Sequence, residues 1–328
     1  MKPLIKKLTE TFSPSGYENA IREVIIEEIK DFADEIRVDA LGNLIARKGS
    51  SGKKIMLAAH MDEIGIMVNH VDENGFARFS SLGGVFPQTL VGSRVKFVNG
   101  TSGVIGAHFL KRPVRLVMNN KMYVDTGATS PKNSPIQVGD VAGFERPFLD
   151  LGKRLVAKSM DDRIGVAVLI ETLRELKSTP HEVYFVFTVQ EEVGVRGATT
   201  SAYGVNPDIG IALDVTGADD VPEIDTKTIF LGKGPTFKFK DAGSLGDPRL
   251  IEHFIKTARK NKIPYQREVA TMGGTDARAI QLTHAGVPVM TLSVPCRYVH
   301  SPSEMVDYGD VQNTVKLLTK FLEKKVEL

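Results

Sequence analysis

The chain has 328 residues, enough for one large α/β domain or two smaller ones, and its 42% hydrophobic and 25% charged content rules out intrinsic disorder. Forty-two Lys and Arg balance 40 Asp and Glu to a formal charge of +2, so neither nucleic acid nor an anionic membrane is indicated as a partner. Cys296 is the only cysteine, Met1 to Glu10 lacks the apolar core of a signal peptide, and no apolar run approaches the ~20 residues that span a bilayer, so the chain reads as a cytoplasmic protein without disulfides.

After Ser15-Gly16, apolar residues at Ile21, Val24, Ile25, Ile29 and Phe32 draw one stripe on a helix over 18–32. Ile36 to Ala46 reads as a hairpin turning at Leu41-Gly42-Asn43, and Ile55 to Ala59 as a strand buried on both faces. From Asn69 to Gly152 the texture changes. Short β-type runs (Arg94 to Val98, Gly103 to Ala107, Met122 to Val124, Asp140 to Phe144) alternate with Gly, Pro and Asn turns. This stretch reads as a small all-β module, placing catalytic-domain segments at 1–68 and 153–328 around an insert at 69–152.

Alternation then resumes with a helix over Ile164 to Leu176 and buried strands at Val183 to Phe187 and Ile209 to Leu213. Helices over Arg249 to Asn261 and Ala277 to His284, a strand at Val287 to Leu292 and an amphipathic helix over Val311 to Glu327 complete it. The lysines of the last helix (Lys316, Lys320, Lys324 and Lys325) form a solvated face. The class is α/β with an inserted all-β domain.

Acids and histidines recur just beyond the buried strands: His60-Met61-Asp62-Glu63, Glu191-Glu192, Asp214 and His300, with Asp161-Asp162 opening a helix. In open α/β sheets, ligand sites form at the carboxyl ends of strands. Any one of these pairs alone is better explained structurally, as an N-cap or a solvated loop residue, and Asp162 could cap its helix. All of them at equivalent places are better explained by a shared crevice. Histidines and carboxylates without a thiolate suit a borderline cation such as zinc or cobalt, with manganese also compatible. Adjacent glutamates diverge, so one of Glu191 and Glu192 can bind metal while the other faces substrate and takes a proton.

These residues sit in a recognisable ordered set: Ala59-His60-Met61-Asp62-Glu63-Ile64-Gly65, Ser159-Met160-Asp161-Asp162-Arg163-Ile164-Gly165, Gln190-Glu191-Glu192-Val193-Gly194, Leu213-Asp214-Val215, Met272-Gly273-Gly274-Thr275-Asp276-Ala277 and Tyr298-Val299-His300-Ser301. Across essentially the whole chain the sequence resembles the glutamyl and deblocking, tetrahedral aminopeptidases, a group of co-catalytic dinuclear metallopeptidases sometimes labelled endoglucanases. The resemblance implies a mixed twisted sheet flanked by helices, as in zinc aminopeptidases, and a β-barrel-like dimerisation domain. It implies two divalent ions per subunit, zinc or cobalt: His60, Asp161 and Asp214 on one, Asp161, Glu192 and His300 on the other. It further implies Glu191 as general base, Asp62 as the carboxylate orienting His60, and a cis Asp161-Asp162 peptide.

Two divalent ions against three carboxylates leave a residual positive charge that favours a bridging hydroxide as nucleophile. Binding of the substrate's free α-amine by one ion would make the enzyme an exopeptidase on peptides. A homo-oligomer built on dimers, up to a dodecamer, is also implied, and the module's apolar segments Val85-Phe86, Leu90-Val91 and Phe109-Leu110 could serve either that contact or its own core.

Other readings have identifiable weaknesses. A glycosidase needs two carboxyls about 5 to 9 Å apart on opposite sides of the bond, and a chain without tryptophan lacks the usual sugar platforms. A non-catalytic subunit would lose a ligand or the base, and none is missing. A dipeptidase or deacylase of the same clan keeps the same residues and stays open. Cys296 lacks a catalytic-histidine signature, and Gly232-Lys233-Gly234 reads as a turn rather than a phosphate loop. An acidic substrate side chain would need a basic pocket, to which Arg163, Arg278 or Arg297 could contribute; an aliphatic preference is equally open.

Overall fold

A computed structural model describes residues 1–108, 121–222 and 224–328. Four strands with nearly continuous apolar runs form the centre of an eleven-stranded sheet: Glu182–Thr188, Lys54–His60, Ile209–Gly217 and Val289–Arg297, parallel and in that order. Continuous apolar character suits strands covered on both faces. Along Lys54–His60 the side chains of Ile55, Leu57 and Ala59 enter the main core, while Met56 and Ala58 enter a second one on the opposite face. Helices Lys2–Glu10, Asn19–Ile29, Met160–Glu175, Pro248–Lys260 and Tyr308–Leu322 cover the first face; Arg196–Val205 and Ala277–Gln281 cover the second.

Antiparallel strands extend both edges. Leu44–Lys48 and Glu35–Val38 form the expected hairpin on one side. Glu304–Asp307, Arg154–Ala157 and Leu149–Leu151 lie on the other. Helices Pro248–Lys260 and Tyr308–Leu322 start where a side chain replaces missing backbone partners. Asp247 accepts from the amides of Arg249 and Leu250, and Asp307 from those of Gly309 and Asp310. The sequence pattern did not single out Lys2–Glu10 or Arg196–Val205, both short and settled by docking onto the sheet.

The β-rich stretch closes into an antiparallel barrel of Gly65–Val71, Ala77–Leu82, Met122–Asp125, Ser102–Ala107, Arg94–Phe97 and Val141–Phe144. It has its own core, including Ile66, Phe79, Val95, Phe97 and Ile105. Of the apolar segments noted above, Leu90 enters that core and Phe86 and Val91 are exposed, whereas Phe109-Leu110 lies outside the described residues. The strands divide the chain slightly differently from the expected 69–152. Gly65–Val71 is a barrel strand that begins before residue 69, and Leu149–Leu151 pairs into the large sheet. The chain passes from one sheet to the other across Met61 to Ile64, whose two acids, Asp62 and Glu63, are buried rather than forming an exposed linker. Among the described residues no helix is long and apolar enough to cross a membrane.

Candidate active site and metal centre

The carboxyl ends of the parallel strands bring the candidate residues together, as the topology requires. His60 ends Lys54–His60 and pairs in register with Thr188, beyond which the chain turns into Glu191 and Glu192. Asp214 lies within Ile209–Gly217, Asp161 opens helix Met160–Glu175, and His300 follows Val289–Arg297. Asp161 stands between the two histidines: its Oδ1 is 2.9 Å from His60 Nε2 and its Oδ2 is 3.2 Å from His300 Nε2. His300 Nε2 is also 3.4 Å from Glu192 Oε2. Ligand atoms of His60, Asp161 and Asp214 lie within 4.8 Å of one another, as do those of Asp161, Glu192 and His300. Two potential cation triads thus share one carboxylate.

Carboxylates behind this layer hold its backbone. Asp62, fully buried, accepts from the amide of Glu191 at 3.0 Å, the amide of Glu192 at 3.2 Å and the hydroxyl of Ser15 at 2.6 Å. Its Oδ1 is 3.4 Å from His60 Nδ1, while its own carbonyl oxygen is nearer at 3.2 Å. Asp62 therefore grips the Glu191-Glu192 turn more closely than it does the imidazole, a second engagement not evident in the sequence. Glu304, also buried, accepts from the amides of Asp161 at 2.9 Å and His300 at 2.8 Å. The sequence reading missed it, although it lies in the same short segment as His300, at the start of strand Glu304–Asp307. Asp162 accepts from the amide of Gly165 at 2.9 Å, the capping role considered for it, and the Asp161-Asp162 peptide is cis.

The barrel contributes too. Gly83 and Gly84 follow its strand Ala77–Leu82 and lie against the site. A Cβ on Gly83 would fall 2.7 Å from Glu192 Oε2, and one on Gly84 would fall 2.7 Å from His300 Nδ1. Only glycine lets backbone approach the site this closely.

The electrostatics are those of crowded anions in a dry pocket. Burial, with the charge of Asp161, pushes the Asp214 carboxyl up to about 7. Burial and neighbouring carboxylates likewise raise Glu191 and Glu192 well above the usual range. Burial alone would raise Asp161 as well, but His300 and His60 outweigh it and bring that carboxyl down. Burial opposes the charged form of His60, yet its bonds to Asp161 and Asp62 raise the ring well above 6.5. Among the described residues, the buried Glu192 Oε1 has no hydrogen-bond partner. Surplus buried negative charge and an orphaned carboxylate oxygen are what a cation would neutralise, so the donor set fits divalent metal.

A cavity of about 860 Å³ opens over Glu191, Glu192, Asp214 and His300. Of the three arginines considered for a basic pocket, only Arg278 lines it. Arg163 is buried and donates to the carbonyls of Leu8 and Thr11, and Arg297 is engaged with both oxygens of Asp220. Lys238 and Glu268, which the sequence reading did not single out, also line the cavity, with Lys238 Nζ 3.9 Å from Glu268 Oε1.

Other sequence features resolve into structure. Cys296 is fully buried, and burial pushes its thiol well above its ordinary range, away from nucleophilic use. The amides of Gly232 and Gly234 are taken by the Asp310 carboxylate at 2.6 and 2.7 Å, leaving no phosphate cradle there. His181 and His284 bond the carbonyls of Lys324 and Tyr203.

Comparison with known proteins points the same way. A lysyl aminopeptidase of Pyrococcus furiosus is 37% identical over 98% of this chain and 96% of its own length. The aminopeptidase APDkam598 of the archaeon Desulfurococcus kamchatkensis superposes with a TM-score of 0.94 at 40% identity, covering 98% of this chain and 94% of that one. The TET1 peptidase of Pyrococcus horikoshii, which can assemble into a tetrahedron or a large octahedral shell, superposes with a TM-score of 0.87 at 35% identity over 99% of each chain. The family model described as M42 glutamyl aminopeptidase matches residues 42–317, and this chain belongs to that family of peptide-bond hydrolases.

Proposed function

We propose that this protein is a metal-dependent aminopeptidase that removes N-terminal residues from peptides at a dinuclear centre. His60, Asp161 and Asp214 would hold one divalent ion, and Asp161, Glu192 and His300 the other, with zinc or cobalt suiting this ligand set. The observation that carries this reading is the single Asp161 carboxylate presenting one oxygen to each histidine. When bound, such ions supply Lewis acidity toward the scissile carbonyl and make a water nucleophilic near neutral pH.

The chain's own groups do the rest. Glu191 lines the cavity beside the Asp161, Glu192 and His300 cluster, and its raised proton affinity suits a base that takes a proton from the attacking water and returns it to the leaving amine. Asp62, by holding the amides of Glu191 and Glu192, keeps base and ligand in fixed relation. The cavity is large enough to seat a substrate side chain, with Lys238, Glu268 and Arg278 among the charged residues that line it beyond the proposed ligands and base. We further propose a cytoplasmic homo-oligomer assembled from dimers through the barrel, up to a dodecamer.

The test is hydrolysis of matched free and N-acetylated peptides by chelated protein, before and after zinc or cobalt is restored. Metal-restored cleavage of free N-termini is the expected outcome, and the side-chain series identifies the preference. Cleavage of the acetylated peptides instead would replace the aminopeptidase with a deacylase of the same clan.

A further inference from the structure

Glu304 takes no part in the ligand triads, yet it is the side chain that joins two of their members. Its carboxylate is 1% exposed and spends its two oxygens on two different backbones: Oε2 accepts from the amide of Asp161 and Oε1 from the amide of His300. Both backbones need holding. His300 has φ of +61° and Tyr298 of +62°, and Ser159, two residues before Asp161, also has φ of +61°. Non-glycine residues in this region cost about 1 kcal/mol or more each, so the loops would relax elsewhere without an anchor. Glu304 itself opens strand Glu304–Asp307, pairing with Ala157 on one side, while the next residues Met305 and Val306 pair with Arg297 and Cys296 on the other, and so supplies a rigid post.

We propose that Glu304 is a positioning residue for the Asp161, Glu192 and His300 cluster, locking Asp161 and His300 at the spacing that admits the second cation. The inference rests on the two-cation reading above. Its asymmetry follows from the connectivity: Glu304 holds two of the three residues of that cluster but only Asp161 of the other. Loss of the clamp must therefore weaken the second cation more than the first. Supports of this kind change metal affinity by about 10–100-fold when removed.

The test is a zinc or cobalt titration of chelated protein, with bound ions counted by mass spectrometry and the cobalt absorption spectrum recorded. His300→Ala and Asp214→Ala serve as references for loss of one or the other ion. Glu304→Gln keeps size and shape but leaves one amide facing an NH2 group instead of an acceptor. It is expected to retain the first ion, to lose affinity for the second about 10–100-fold, and to show the spectrum of the His300→Ala reference. Glu304→Asp, which keeps both acceptors one methylene further back, should fall between and decides the matter should Glu304→Gln not fold. Two ions bound with unchanged affinity in these variants overturn the inference. So does equal weakening of both ions with a lowered Tm of the metal-free form, since that marks a merely structural role. A wild-type chain binding fewer than two ions overturns the two-cation reading, and this inference with it.

Discussion

The two halves of the centre are built differently. His60 and Asp214 stand on parallel strands whose ladder bonds and double-sided burial hold their Cα atoms in place. Glu192 and His300 stand on loops, and each loop is gripped by a buried carboxylate, Asp62 or Glu304, through backbone amides. Gly83 and Gly84 of the barrel then close over that second half. A strand-borne ligand is positioned by the sheet, whereas a loop-borne ligand needs dedicated acceptors whose desolvation is repaid only if every bond is made. The first half should therefore tolerate change around it, and the second should register it.

The largest effect should come from the residue common to both halves. Asp161→Ala should release both cations, measured as ions per subunit after dialysis, and turnover should vanish with them. Two ions still tightly bound would show that the halves share no bridge. Next is Glu191→Gln, which should lower kcat by about 10²–10⁴-fold while ion content and Tm stay near wild type. A loss of metal together with activity would move Glu191 from base to ligand.

A smaller effect is expected at the barrel contact. Gly84→Ala would place a Cβ 2.7 Å from His300 Nδ1, so this ring must shift. The second cation should bind about tenfold more weakly, with the first unaffected, in the same titration. An equal change in both would mean that the barrel bears on the whole centre.

A separate effect, on stability alone, concerns the metal-free protein. The Asp214 carboxyl is raised from 3.8 to about 7 by burial and by Asp161. A folded-state value above the unfolded one contributes stability that is complete below the unfolded value and is lost as pH rises through the folded one. The chelated wild type should therefore lose stability from about pH 4 to pH 7 through this group. Asp214→Asn, which carries no such proton, should gain in Tm relative to chelated wild type as pH rises over that range. Thermal denaturation of both proteins across pH measures it, and a gap that shrinks with rising pH would contradict the assignment.

Much of this site was legible in the chain because its residues lie beside buried strands, whose apolar runs are conspicuous. His60, Glu191 and Glu192 could be placed at strand ends from local pattern, whereas Asp214, expected just past a strand ending at Leu213, lies inside a strand that runs on to Gly217. Glu304 could not, because its value lies in reaching Asp161, 143 residues away. Gly83-Gly84 reads as one more turn in a β-rich stretch, and nothing local says that it packs on Glu192 and His300. The barrel strand Gly65–Val71 begins right after the site residues, because the acids Asp62 and Glu63 between the two sheets are buried and belong to the site rather than to an exposed linker.

By itself the sequence determined the α/β class, the inserted β module and the types of side chain gathered at the candidate site, because apolar periodicity and residue chemistry are local properties. Only the tertiary structure decided that Asp161 faces both histidines, that Asp62 and Glu304 hold the loops, and that Lys238 and Glu268 rather than Arg163 or Arg297 line the cavity. These depend on sheet order and on which backbone amides are left unpaired after the ladders form, quantities set by contacts distant in the chain.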